Sequence, residues 1–208
     1  MRAAILEKPG ATPSLGEFQD PTDHVVDVRL AGCNPVDLAL AAGRMGTPPT
    51  PSVVGKEGIG ANADGQRMYF DSPPAPFGSW AQRCSVDPDR TFPIPDAVDD
   101  DLAVALGIAG LAAWLPLTRH SDVSNAPVGE GAGSSADVPF RALAGRTHVG
   151  HLNDDMPSEV LRTGYEELMQ HAAAGRIQVE TRIYPLDQAV EAWRAQSEGP
   201  HVKIAVAP

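Results

Sequence analysis

Val26, Val28 and Leu30 alternate with Asp27 and Arg29. A period of two turns one face of a strand to the core and the other to water. Similar short runs predict strands at Arg2–Leu6 and at residues 52–61, 66–70 and 79–86. Turn-forming breaks separate them at Gly10, Pro21, Pro48-Pro49, Ala63-Asp64-Gly65 and Pro73-Pro74. Short strands at this spacing predict a compact, partly open barrel. The texture changes at Pro95. Asp99-Asp100-Asp101 offers acidic caps to a helix start. Residues 102–115 then run apolar on every side, which predicts one buried helix covered all round.

Residues 120–138 hold almost no large apolar side chain, and Gly129-Glu130-Gly131-Ala132-Gly133-Ser134-Ser135 reads as a linker. Order then returns. Leu161, Tyr165, Leu168 and Ala172 share one helical face, with Pro157 near its start and Gly175 just past its end. Val179, Thr181 and Ile183 alternate as a strand. Leu186, Ala189, Val190 and Trp193 follow helical spacing up to Gly199, and Val202, Ile204 and Val206 form a last strand. The chain is therefore mixed α+β, mainly β.

Composition narrows the partners. The 208 residues are 42% hydrophobic and 21% charged, an ordinary globule of one large domain or two small ones. A net charge of −11 disfavours nucleic acid and anionic membrane, which need basic patches. The apolar run at 102–115 is shorter than the ~20 residues of a bilayer span. Cys33 and Cys84 are too few for a disulfide scaffold, so a cytoplasmic location is expected. The first ten residues are charged too early for a signal peptide.

Motifs for unaided chemistry are thin. Gly129-x-Gly131-x-Gly133 lacks a preceding buried strand, and Pro139 interrupts the helix that would follow. A linker explains it better than a phosphate loop. His148-x-x-His151 with Asp154 and Asp155 superficially resembles a metal cluster, but positions i and i+3 of a strand face opposite ways. An exposed turn is the alternative. Neither a Walker A sequence nor G-x-S-x-G occurs.

Several stretches carry a family likeness in order. They are Ala31-Gly32-Cys33-Asn34-Pro35-Val36-Asp37 with Ala42-Gly43-Arg44, then Pro51-Ser52-Val53-Val54-Gly55-Lys56-Glu57-Gly58-Ile59-Gly60. Gly78-Ser79-Trp80-Ala81 and Ile108-Ala109-Gly110-Leu111-Ala112-Ala113-Trp114 follow. Near the end come Ala172-Ala173-Ala174-Gly175-Arg176-Ile177, Tyr184-Pro185-Leu186 with Ala189 and Ala192-Trp193, and Lys203-Ile204-Ala205-Val206. Together they resemble the medium-chain dehydrogenase/reductase family, in its zinc-free NADPH:quinone oxidoreductase-like branch. The likeness covers about 1–118 and 156–208.

That resemblance implies a GroES-like, partly open barrel with a few flanking helices and no complete Rossmann domain. Residues 1–128 would be the first part of this catalytic domain and 152–208 its second part. Residues 129–151 would be a linker and remnant where the nucleotide-binding domain is missing, with a stranded remnant at residues 144–150. Catalytic zinc is not implied, because Asn34 and Lys56 stand where zinc relatives carry Cys and His. The implied reaction passes hydride from NADPH to a quinone or enone, with positioning and polarisation of the oxygen as the protein's contribution.

The resemblance makes Asn34, Lys56 and Arg44 the candidate catalytic residues, and Met45, Phe77, Trp80 and Trp114 the candidate substrate walls. Asn34 would also meet the cofactor if a nucleotide domain were supplied. Structural alternatives stand beside each: a turn for Asn34-Pro35, a solvated side chain for Lys56, core packing for the tryptophans and an ion pair for Asp37. Without its partner domain the chain would bind no cofactor and be inactive alone. The alternative function is a non-enzymatic scaffold or binding module left by domain loss. A homodimer through the exposed former inter-domain face is a further expectation.

Overall fold

The computed structural model describes residues 1–119 and 152–208. The Gly129–Ser135 junction, the remnant at 144–150 and the His148/His151 pair lie outside those residues. The first strands are β1 (Arg2–Leu6), β2 (Ser14–Glu17) and β3 (Val25–Cys33). Helix α1 (Pro35–Ala41) precedes β4 (Ser52–Val53), β5 (Glu57–Ala61) and β6 (Arg67–Asp71). Then come β7 (Arg83–Ser85), β8 (Thr91–Pro93), α2 (Asp100–Ala105) and α3 (Ile108–Arg119). The second described stretch carries a 3-10 turn (Asn153–Asp155), α4 (Ser158–Ala173), β9 (Thr181–Pro185), α5 (Ala189–Ser197) and β10 (Lys203–Ala207).

Two sheets form. One has the order β2-β1-β4; the other runs β8-β6-β5-β3-β10-β9, with β7 also pairing β3. Strand β3 is the hub. Its first residues pair with β7, its middle with β5 and its last with β10. All pairings are antiparallel except β9 with β10. Among the described residues no closed barrel forms, and the mixed, mainly β class is as the pattern predicts.

Both faces of the larger sheet are covered, and alternation explains how. In β6, Phe70 enters a core with Trp80, Trp193 and Leu6, while neighbouring Tyr69 enters a second core with Phe92 and Tyr165. Ile204 and Ala205 of β10 divide the same way. Tyr69 stacks on Tyr165 at 4.6 Å between centroids, and Trp80 meets Trp193 edge-on at 5.8 Å. Such aromatic pairs add about 0.5–1.5 kcal/mol each beyond their burial. Leu161, Tyr165, Leu168 and Ala172 of α4 all lie buried in the second core, as their spacing predicts.

Five expectations are corrected. Residues 52–61 are two strands, not one, because Gly55 adopts φ +104° and turns the chain between them. Residues 79–86 pair as a strand only over Arg83–Ser85. Residues 102–115 are two helices broken at Leu106-Gly107. Helix α3 is not covered all round: Leu111 and Leu115 are buried, whereas Ala112, Ala113 and Leu117 are exposed. Small side chains made that run look uniformly apolar without requiring uniform burial. Last, Val179 lies before β9, and Val179 and Ile183 face solvent.

Candidate functional site

The site grows from the ends of β3, β5 and β6. Strand β3 ends at Cys33, and Asn34-Pro35 starts α1, with proline in the first turn where a missing N–H is harmless. Asp37, one turn on, folds back: one carboxylate oxygen accepts from the Asn34 N–H at 2.7 Å and the other from the Lys56 N–H at 2.8 Å. It thus ties α1 to the Gly55 turn through two backbone amides, and the structure shows these bonds where an ion pair is expected from the sequence. Burial pushes its carboxyl up to about 6, against the pull of the Asn34 amide; Glu57 raises it further, while Lys203 and the Lys56 amide lower it.

Next to it is a polar knot that the sequence pattern does not single out. The Glu57 carboxylate is fully buried. It accepts from Lys203 Nζ at 2.5 Å, Asn34 Nδ2 at 2.8 Å, Tyr69 OH at 2.9 Å and the Ile108 N–H at 2.6 Å. Lys203 Nζ also donates to Asn34 Oδ1 at 2.8 Å. One carboxylate therefore joins β5, β10, α1, β6 and the start of α3. Gly107 makes this possible: a Cβ there would run into the Tyr69 ring and the Glu57 carboxylate. Burial, then the nearby Glu57 charge, pushes the Tyr69 hydroxyl well above its ordinary value.

Asn34 is only 3% exposed, with its amide oxygen and one amide hydrogen committed to the knot. Its place is behind the cleft wall. Lys56 differs. Its backbone is pinned by Asp37 and by the Ser72 N–H, which donates to the Lys56 carbonyl at 2.7 Å. Its Nζ donates to Ser72 Oγ at 2.8 Å and pairs with Asp154 at 3.0 Å. Ser72 holds φ +51°, a left-handed conformation that costs a non-glycine residue roughly 1–2 kcal/mol. Strain kept beside a charged side chain is a common mark of a working site.

Lys56, Ser72 and Asp37 sit on a cleft of about 370 Å³. Its remaining walls are mostly apolar, among them Leu40, Met45, Val53, Pro76 and Phe77. A larger depression of about 530 Å³ is lined by Arg67, Thr91, Asp96 and Arg162. There Arg67 is already held by Asp100 and by two carbonyls, and Arg162 covers the Phe92 ring. The smaller cleft combines mostly apolar walls with the charged residues Lys56 and Asp37.

Of the candidate residues, Lys56, Met45 and Phe77 line this cleft. Arg44 is exposed at the turn beside it. Trp80 is fully buried, its Nε1 donating to the Gly32 carbonyl at 3.0 Å. Trp114 donates to Glu167 at 2.7 Å and meets His171 edge-on, between α3 and α4. Sequence reasoning missed Ser72 and Glu57 as site-building groups. Glu57 had a signal, a carboxylate between glycines in a strand; Ser72 had none. Among the described residues no cluster of metal-ligating side chains occurs, and no helix is long and apolar enough to cross a membrane.

No family model and no curated protein matches the sequence. Solved structures do. A mycobacterial quinone oxidoreductase superposes with a TM-score of 0.76 at 16% identity, covering 100% of both chains. The Escherichia coli quinone oxidoreductase, solved in complex with NADPH, gives 0.76 and 16% with the same coverage. The Thermus thermophilus quinone oxidoreductase gives 0.67 and 19%, again over 100% of both chains. The chain thus shares the fold of these quinone oxidoreductase structures, with GroES-like sheets.

Proposed function

We propose that this chain is the substrate-binding catalytic domain of a quinone- or enone-reductase-like protein, acting without a nucleotide-binding domain of its own. Residues 1–128 and 152–208 form that single domain in this reading, joined through 129–151. The carrying observation is a mostly apolar cleft that has Lys56, whose ammonium is held by Ser72, among its lining residues. A flat apolar ring fits such walls, and a cation among them polarises a carbonyl oxygen where negative charge develops on reduction.

Two observations support the domain-loss half. Only residues 120–151 separate α3 from the second described stretch, and an independent domain takes at least about 50 residues. Among the described residues, the one parallel crossover runs β9–α5–β10. Its strand-to-helix turn is Pro185-Leu186-Asp187-Gln188, with no glycine cradle and an acid where a pyrophosphate would sit. NADPH, which the fold type implies, finds no fitting set of residues there, so no step is assigned to it. The second reading, a binding module for apolar carbonyl compounds, is favoured by the same mismatch.

Calorimetric titration of the purified chain with NADPH and with a quinone separates these readings. Heat for the quinone and none for NADPH is expected. Steady loss of reduced-nicotinamide absorbance with the chain alone would overturn the domain-loss half. No binding of quinones or enones would overturn the substrate-domain half. Light scattering on the same sample reads the self-association state.

A further inference from the structure

The proton inventory at the cleft goes one step further. Lys56 Nζ has three N–H donors. One is spent on Ser72 Oγ and one on Asp154, leaving the third. Ser72 Oγ accepts from Lys56, so its single proton is free to donate elsewhere. Both residues line the same cleft. Two spare donors, 2.8 Å apart at their heavy atoms, therefore belong to residues that line an otherwise largely apolar cleft.

We propose that Ser72 and Lys56 form a two-donor cradle for one carbonyl oxygen of a flat, apolar ligand, and that Asp154 is the counter-ion that tunes the cradle toward neutral oxygens. The inference rests on the carbonyl-substrate reading above and adds the residue pair and the selectivity. The cradle is rigid before any ligand arrives. Asp37 fixes the Lys56 amide, the Ser72 amide fixes the Lys56 carbonyl, and the left-handed Ser72 backbone aims its hydroxyl. Donors held in place need no reorganisation on binding. Asp154 sits in the 3-10 turn anchored to α3 by Asn153 Nδ2, which donates to the Ile108 carbonyl at 2.9 Å. A ligand carboxylate must compete with this resident carboxylate for Lys56; a ketone oxygen takes the spare donors without displacing it.

The test needs no nucleotide and no turnover. Binding of 1-tetralone, of tetralin lacking the oxygen, and of 2-naphthoate is measured by NMR titration on the full chain. Ser72→Ala and Lys56→Met should each weaken 1-tetralone roughly five- to tenfold and leave tetralin unchanged, the loss expected of one hydrogen bond. Ser72→Gly removes the same hydroxyl while relieving the positive φ, so it serves if the alanine variant fails to fold. Asp154→Asn should shift selectivity from 1-tetralone toward 2-naphthoate by about fivefold.

Equal loss for 1-tetralone and tetralin would overturn the cradle, as would 1-tetralone binding indifferent to both variants. An unchanged ketone-to-carboxylate ratio in Asp154→Asn would overturn the counter-ion role. Because these titrations contain no NADPH, a cradle that binds ketones in a chain that never oxidises NADPH separates the two proposals. So does turnover in a chain whose Ser72 variants bind as the wild type does.

Discussion

The molecule holds two lysine–carboxylate pairs within the same few strands, and their surroundings make them opposites. Lys203 and Glu57 have side chains only 6% and 0% exposed, and Asn34, Tyr69 and Ile108 complete the carboxylate's hydrogen bonding. Lys56 and Asp154 are 14% and 36% exposed and leave donors unspent. A saturated buried pair fixes the positions of strands. An unsaturated pair whose lysine lines a cleft keeps capacity for something else. Adjacent residues, Lys56 and Glu57, thus serve different ends because Lys56 stands on the Gly55 turn that lines the cleft while Glu57 opens the buried strand β5.

The strongest way to break this comparison is to orphan the buried lysine. Glu57→Ala should lower stability by about 3–5 kcal/mol in urea unfolding, the usual result of leaving one buried charge unpaired. Replacing both partners, Glu57→Gln with Lys203→Met, should cost clearly less, and an equal cost would show that the carboxylate's other bonds carry the stability. Asp37 gives the next effect. Its folded pKa of about 6 lies above the ordinary 3.8, so between those values the folded chain keeps a proton that the unfolded chain has lost. Relative to Asp37→Asn, the wild type should gain about 2 kcal/mol as pH falls from 6 to 4, read from paired denaturant curves.

Gly107→Ala should cost about 1–3 kcal/mol in thermal or urea unfolding, because its methyl displaces the Tyr69 ring or the carboxylate beneath it. Smallest is the exposed pair. Asp154→Ala should change unfolding free energy by less than about 1 kcal/mol, while still altering ligand selectivity. A large loss of stability there would erase the contrast between the two pairs.

The same contrast marks what sequence patterning can reach. Val26, Val28 and Leu30, and the Leu161–Tyr165–Leu168–Ala172 face, announce themselves because burial repeats at the period of their own element. The break at Gly107 does not, since its cause is a tyrosine from β6 and a glutamate from β5. Ile183 misleads because a position with strand alternation can sit at a sheet edge facing water. At the site, Lys56 stands out through its glycine-flanked turn, and Met45 and Phe77 through family likeness. Ser72 is legible only in three dimensions, where a left-handed backbone brings its hydroxyl to a lysine sixteen positions earlier.

Lys203 reaches Glu57 from 146 positions away, on a strand that pairs with β3 in the middle of the sheet. Without β10, the carboxylate that β5 buries against β3 and β6 would have no counter-ion. In the finished sheet β10 fills the place between β3 and β9. The centre of the larger sheet is thus closed by two segments far apart in the chain, a contact of high sequence separation that costs loop-closure entropy before it is rewarded.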